Sequence, residues 1–92
     1  MMTTVGVELK IDGERAAECL QDACEEIGNF QGEMVLDFSS VRRIDTKAVR
    51  ALEELASLAQ GKGLTIALRG ANVEIYKVLK LMKLAAKFRF LR

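Results

Sequence analysis

Apolar and polar positions alternate near the start of the chain, with apolar side chains at Val5, Val7, Leu9 and Ile11. A period of two places these residues on one face, so residues 5–11 are predicted to form a strand with one buried face. Asp12-Gly13 is typical of the turn that would end it. From Glu14 to about Ile27, apolar residues recur at spacings of three and four with acidic residues between them. This pattern predicts an amphipathic helix, which Gly28-Asn29 would end.

Two later runs of the chain are apolar without alternation, at residues 34–38 and 64–68. Both are short and flanked by glycine, serine or arginine, which favours strands over helices. The continuous apolar character of residues 34–38 predicts a strand in the middle of a sheet, covered on both sides. A last short strand is predicted at residues 88–91.

Two further helices are predicted between these strands. Asp45 is a natural N-cap for the first, which the Gly-Lys-Gly segment at residues 61–63 would end. Asn72 can cap the second, from Val73 to about Leu84. The predicted order is therefore β-α-β-α-β-α-β. It indicates an α/β fold with a mixed, largely parallel sheet of about four strands and helices packed against it. With 92 residues and no linker or repeat, we expect one domain spanning residues 1–92.

Charge is divided unevenly along the chain although the formal net charge is only +1. Residues 1–37 contain nine acidic and two basic residues, whereas residues 38–92 contain four acidic and twelve basic ones. The two halves could form opposite ends of the domain and orient a charged partner, or they could face each other and neutralise. The small net charge argues against nucleic acid as a partner.

Catalysis, cofactors and metals are disfavoured by the composition. The chain has no histidine, the commonest general base and metal ligand, and no nucleotide-binding or nucleophile motif. Asp37 and Asp45 would meet at the carboxyl end of the sheet, where capping and loop hydrogen bonds explain them better than a metal does. Cys19 and Cys24 are expected to be reduced structural thiols. No run approaches the roughly 20 apolar residues of a membrane span, and the start lacks a signal peptide, so we expect a cytoplasmic protein.

A basic stripe marks the end of the chain, where Lys77, Lys80, Lys83 and Lys87 are followed by Arg89 and Arg92. Such a stripe is typical of helices that lie on anionic membranes or bind acidic partners. It is also what a solvated lysine face gives on a helix that packs through Ile75, Val78, Leu79 and Met82. Leu81 falls beside the lysines, which could leave apolar surface exposed to a partner.

The segment from Met34 to Ala48, read MVLDFSSVRRIDTKA, resembles the signature segment of STAS domains, the family of anti-sigma factor antagonists. There, an apolar strand ending in Asp-Leu is followed by a short loop, an apolar residue and Asp-Ser-Ser-Gly at the start of a helix. Residues 61–68 resemble the family's Gly-Gly and following strand, and residues 78–88 resemble its last helix and final strand. The resemblance covers roughly residues 5–91.

This resemblance implies a phosphorylation site at the Asp-Ser position, which falls on Asp45 and Thr46. In the family, a partner kinase phosphorylates that serine, and the unmodified protein binds the kinase and releases the sigma factor. The residues expected to contact the partner are Ser39, Ser40, Arg42, Arg43, Asp45, Thr46, Lys47 and Arg50. Three residues depart from the family pattern, because Lys47 replaces the second serine, Ala48 the glycine, and Lys83 a glycine after the last helix. Asp45 and Thr46 could also be a helix cap with no regulatory role.

Two binding functions follow from the resemblance. The first is a regulatory module for an anti-sigma factor or switch-protein kinase, with Thr46 as its modifiable centre. The second is an accessory subunit of a membrane transport complex, such as a lipid ABC transporter, which docks on the ATPase or permease without phosphorylation. The edge strands could also pair two copies into a homodimer. A small enzyme is a third class, disfavoured for the reasons above.

Overall fold

The computed structural model describes residues 4–91, so Arg92 lies outside the described residues, as does the side chain of Val5. Within this range, strands and helices alternate, with short 3₁₀ turns at Ile27–Asn29 and Ala85–Lys87. The elements are β1 (Thr4–Lys10), α1 (Ala16–Glu26), β2 (Phe30–Asp37), α2 (Thr46–Lys62), β3 (Thr65–Arg69), α3 (Val73–Leu81) and β4 (Arg89–Leu91). The predicted β-α-β-α-β-α-β order is confirmed.

The four strands form one sheet in the order β1-β2-β3-β4, and each neighbouring pair is parallel. The predicted α/β class is confirmed, with every pairing among the described strands parallel. One row across the sheet consists of Leu9, Leu36, Leu68 and Phe90, which are aligned in register. The strand at residues 34–38 was expected in mid-sheet, and β2 does have a neighbour on each side.

The helices cover only one face of this sheet. Each crossover moves to the next strand in the same direction, and such crossovers are right-handed, so all three helices come to the same side. Burial along β2 alternates accordingly: Met34 and Leu36 are fully buried, whereas Val35 and Asp37, which follow them in turn, are half-buried. The prediction that this strand is covered on both sides is therefore wrong. A continuous apolar run is typical of a strand with both faces covered. The same run occurs here although the second face of β2 is open, because that face still carries the apolar Val35.

The hydrophobic core lies between this face and the helices. Leu20 of α1, Leu52 and Leu55 of α2, and Ile75 and Leu79 of α3 are fully buried against the strands. Burying each side chain of this size contributes about 1.5–3 kcal/mol. The helices thus occupy the positions that their apolar spacing predicts, and their N-terminal ends lie along one edge of the sheet.

The third helix ends earlier than predicted, at Leu81 instead of about Leu84. Lys83 has a left-handed backbone conformation with φ of 61°. The amide of Leu84 then donates to the carbonyl of Leu79 (2.7 Å), and the amide of Lys83 to that of Lys80 (3.1 Å). These bonds form a Schellman motif, in which glycine usually takes the left-handed position. The departure at Lys83 from the family's glycine thus falls where the backbone favours glycine. Because the helix stops here, Met82 is 55% exposed and not part of the apolar face, contrary to expectation.

Candidate protein-binding surface

The loop between β2 and α2 lies at the carboxyl edge of the sheet, held from both sides. The amide of Ile11 donates to the carbonyl of Asp37 (2.9 Å), and the amide of Phe38 donates to that of Arg69 (2.7 Å). The buried side chains of Phe38 and Val41 anchor the loop in the core. The loop that carries most of the predicted partner-contacting residues is therefore tied to both neighbouring strands.

Two glycines allow the neighbouring loops to approach this loop closely. A Cβ atom at Gly13, in the turn before α1, would overlap the carbonyl oxygen of Ser40. At Gly70, after β3, a Cβ would lie 3.1 Å from backbone atoms of Ser39, and its φ is +73°. Only glycine combines this positive φ with the close approach of Ser39 without strain. The three loops thus form one continuous surface around Ser39 and Ser40, which are both exposed.

Side-chain hydrogen bonds hold this surface in shape. The carboxylate of Asp37 accepts a hydrogen bond from the amide of Ser39 (2.9 Å). The Asn72 side-chain amide donates to the carbonyl of Arg42 (2.8 Å), while its oxygen accepts from the amide of Ile75 (2.8 Å) and so caps α3. The prediction that Asn72 is a cap is confirmed. Its second bond, to the loop, could not be read from local sequence because the two residues are distant in the chain.

Asp45 is the N-cap of α2, as predicted. Its carboxylate accepts a hydrogen bond from the amide of Ala48 (2.8 Å), and its own carbonyl accepts from the amide of Val49 (3.0 Å). Thr46 is the first residue of the helix and is exposed, and its hydroxyl makes no hydrogen bond with the described part of the chain. Because Asp45 provides the cap, the Thr46 hydroxyl is not needed for it. The hydroxyl is accessible beside the positive end of the helix dipole.

The residues predicted to contact a partner are all exposed at this edge: Ser39, Ser40, Arg42, Arg43, Asp45, Thr46, Lys47 and Arg50. The four basic side chains among them form no ion pair with the described residues. Ala48 differs, because only 1% of it is exposed and it packs in the core. Because it is buried, Ala48 does not contact a partner, and packing in the core explains why a small residue stands where the family pattern has glycine.

A depression of about 520 Å³ lies between the start of α1 and the start of α2. One wall consists of Arg43, Ile44, Asp45 and Lys47. The opposite wall comes from the turn before α1 and its first two turns, from Gly13 to Gln21. The sequence pattern did not single out this second wall. The predicted topology could have identified this wall, because the loops that follow neighbouring parallel strands lie at the same edge of the sheet.

The two aspartates considered as a metal site each have another role. Asp45 caps α2, and Asp37 accepts the Ser39 bond described above. That backbone hydrogen bond, with a bond to the Ser39 side chain and the charges of Lys10 and Arg69, lowers the pKa of Asp37 below its ordinary value. No group of three or more metal-binding side chains occurs in the part of the chain that the structure describes.

The protein is therefore a small α/β domain. Its parallel sheet carries helices on one face and an exposed, polar loop surface at the carboxyl edge. The family model described as the Mlab STAS domain matches residues 3–91 of this sequence. The chain therefore belongs to the STAS domain family. Its fold is similar to the crystal structure of a Thermotoga maritima protein assigned as an anti-sigma factor antagonist, with a TM-score of 0.63. That match has 21% sequence identity and covers 91% of this chain and 71% of the other.

No curated protein matched the sequence. Among residues 4–91, no helix is both long enough and apolar enough to cross a membrane.

Proposed function

We propose that the protein is a non-enzymatic binding module whose partner contacts the surface formed by residues 39–43 and the first turns of α2. The observation that carries this proposal is the state of Thr46, which is exposed at the start of α2 and whose hydroxyl makes no hydrogen bond to residues 4–91, while Asp45 caps the helix. The surrounding loop is held by backbone hydrogen bonds to the neighbouring strands, by close contacts with two glycine-containing loops and by side-chain hydrogen bonds. A partner therefore meets a preformed surface and loses little affinity to ordering it.

Phosphorylation of Thr46 is the switch that we propose for this surface. A phosphate adds about −1.5 to −2 charges and three acceptor oxygens. At the first position of a helix it is tolerated by the free amides and the dipole, so folding need not change. Arg43, Lys47 and Arg50 are exposed close to Thr46 in sequence, and a phosphate would compete for them with an acidic partner. The partner proposed here is an anti-sigma factor or switch-protein kinase.

The test is an affinity capture from the native host with wild type, Thr46→Glu and Thr46→Ser, followed by mass spectrometry of the captured proteins and of Thr46. We expect the wild type and the serine variant to capture a protein kinase, the glutamate variant to lose it, and phosphate to be found on Thr46. Ser57→Glu is the matched control, since Ser57 is exposed on the same helix, away from the loop. It adds the same charge and should leave capture unchanged.

Neither Thr46 variant should unfold the protein. The side chain makes no hydrogen bond with the described residues, and an acidic residue is favourable in the first turn of a helix. Loss of capture by Thr46→Glu can therefore be attributed to the surface. Equal capture by the wild type and Thr46→Glu, with no phosphate on Thr46, would reject the switch.

The second candidate is an accessory subunit of a membrane transport complex, which uses the same surface without phosphorylation. The observation that favours it is Lys47, an exposed cation directly after Thr46 where the family pattern has serine. Capture of a transport ATPase or permease by both the wild type and Thr46→Glu would support this candidate. Loss of that capture in Arg42→Glu together with Arg43→Glu would locate it at the loop.

A further inference from the structure

Acidic and basic side chains lie on opposite flanks of the helical layer. The strand order places α1 beside β1 and β2, and α3 beside β3 and β4, with α2 between them. The exposed polar residues of α1 include Glu18, Asp22, Glu25 and Glu26, whereas those of α3 and the following segment include Lys77, Lys80, Lys83 and Lys87. Two ion pairs join the acidic half of the chain to the basic half, Glu8–Arg69 (3.6 Å) and Glu33–Arg89 (2.7 Å). Both lie on the face of the sheet that the helices do not cover. On the flanks, Glu18 pairs with Arg15 (2.8 Å), whereas the other three acidic side chains and the four lysines form no ion pair with the described residues.

Exposed apolar side chains are concentrated on the basic flank. Among the described residues, the large hydrophobic side chains that remain exposed are Leu58, Val73, Tyr76, Leu81 and Met82, and all but the first belong to α3 or its end. Leu81 is 81% exposed. It borders a shallow depression whose other lining residues are Lys77, Lys80 and Lys83. An apolar side chain surrounded by three cations projects from this surface.

Lys83 adds an independent observation. Its φ of 61° is unfavourable for any residue with a Cβ, and the Schellman motif would accept glycine. The lysine therefore occupies its position at a conformational cost. It makes no ion pair within the described residues that would offset this cost. Strained residues of this kind cluster at functional sites.

From these observations we propose that the surface formed by Lys77, Lys80, Leu81, Met82 and Lys83, the lysine-leucine surface, binds the anionic headgroup region of a phospholipid membrane. Lysine side chains near an anionic surface each contribute about 1 kcal/mol of attraction. Leu81 and Met82 enter the boundary between headgroups and acyl chains, as the apolar residues of interfacial helices do. This role is separate from partner binding at residues 39–50.

The geometry favours a lipid surface over a second copy of the chain. Leu81 is 81% exposed and its depression is otherwise lined by lysines, so the apolar surroundings that it requires come from the partner. The acidic flank of another copy would match the lysines, but the exposed residues of α1 are polar: Glu18, Gln21, Asp22, Glu25 and Glu26. A bilayer surface containing anionic lipid supplies both the negative charge and the apolar layer.

Vesicle flotation tests the proposal with the full chain and no protein partner. The vesicles are phosphatidylcholine alone, or phosphatidylcholine and phosphatidylglycerol in equal parts. We expect the wild type to float only with the mixed vesicles at about 0.1 M salt and to be released at about 1 M, where charge attraction is screened beyond about 3 Å. Lys77→Gln together with Lys80→Gln should weaken partition into the mixed vesicles about 30-fold. Leu81→Ser should weaken it as well.

Two variants make the result decisive. Lys83→Gly should weaken vesicle binding about fivefold while unfolding at a higher denaturant concentration, so a loss of binding cannot be attributed to misfolding. Lys10→Gln together with Lys62→Gln removes two lysines from other elements and should leave flotation unchanged. The proposal is overturned if the wild type does not float with the mixed vesicles at low salt, or if the two double variants bind equally well.

Discussion

The side-chain nitrogen of Asn72 donates a hydrogen bond to the backbone carbonyl of Arg42 at 2.8 Å, across 30 residues of sequence. The oxygen of the same side chain caps α3. One residue thus starts a helix and holds the loop that carries most of the proposed partner-binding residues. This relationship leads to the first prediction.

Asn72→Asp retains the capping oxygen but loses the donor to Arg42. We expect α3 to remain intact and the free energy of unfolding to fall by about 0.5–1.5 kcal/mol, the usual contribution of one hydrogen bond. Amide hydrogen exchange at residues 39–43 should accelerate, whereas exchange in α3 should not. Asn72→Ala, which removes both bonds, serves as the comparison and should accelerate exchange at both places. Unchanged exchange in the loop of Asn72→Asp would show that the bond does not hold it.

Gly70→Ala should destabilise the protein by about 1–3 kcal/mol. The added Cβ would be strained at φ of +73° and would lie 3.1 Å from the backbone of Ser39. Urea unfolding measures the loss. Gly28→Ala is the matched control, because a Cβ at Gly28 would have no neighbour within 4 Å and no positive φ is found there. A similar loss in both variants would contradict the explanation.

Lys83→Gly should stabilise the protein by up to about 1 kcal/mol, because glycine adopts the left-handed conformation at the end of α3 without strain. Lys83→Ala removes the same charge and keeps the Cβ, so it should not stabilise. Urea midpoints of the three proteins distinguish the backbone effect from the charge effect. Equal midpoints for the alanine and glycine variants would assign any gain to the charge.

Asp37 should make stability depend on pH in acid. The hydrogen bonds to Ser39 lower its pKa in the folded state below the ordinary value of 3.8. The contribution of this carboxylate to stability is therefore complete above that value, and it is lost as the pH falls through the folded pKa. Asp37→Asn keeps an oxygen that can accept from the Ser39 amide but does not titrate. Unfolding midpoints of the two proteins should converge as the pH falls from about 5 to below 3.8. Parallel curves would exclude this role.

Cys19 should react with iodoacetamide well before Cys24 in the native protein. Cys24 is buried and its thiol points to the carbonyl of Ala51 at 3.6 Å. Burial, with smaller effects from Glu54 and Glu25, raises the pKa of Cys24 to about 11. Almost none of it is thiolate near pH 8, whereas the half-buried Cys19 is partly accessible. Mass spectrometry of the alkylated peptides, with urea-unfolded protein as the reference, would show comparable reaction at both residues only after unfolding.

Local sequence signals predicted the elements and their caps well. Asp45 and Asn72 cap helices as expected, because the bond from a capping side chain to the third amide of the helix depends on residues three apart. The order of the elements led to the parallel sheet for a similar reason, since a helix between consecutive strands allows a parallel crossover. The end of α3 was misplaced because lysine gives no local indication of the left-handed conformation that Lys83 adopts.

The sequence by itself therefore determined the alternation of strands and helices, their apolar faces and two of their caps, all of which depend on interactions within a few residues. Only the tertiary structure decided that the helices share one face of the sheet, that Asn72 holds the Arg42 loop, and that Gly13 and Gly70 fit against Ser40 and Ser39. These features depend on contacts between residues far apart in the chain, and a pattern of local spacing contains no information about which distant segments meet.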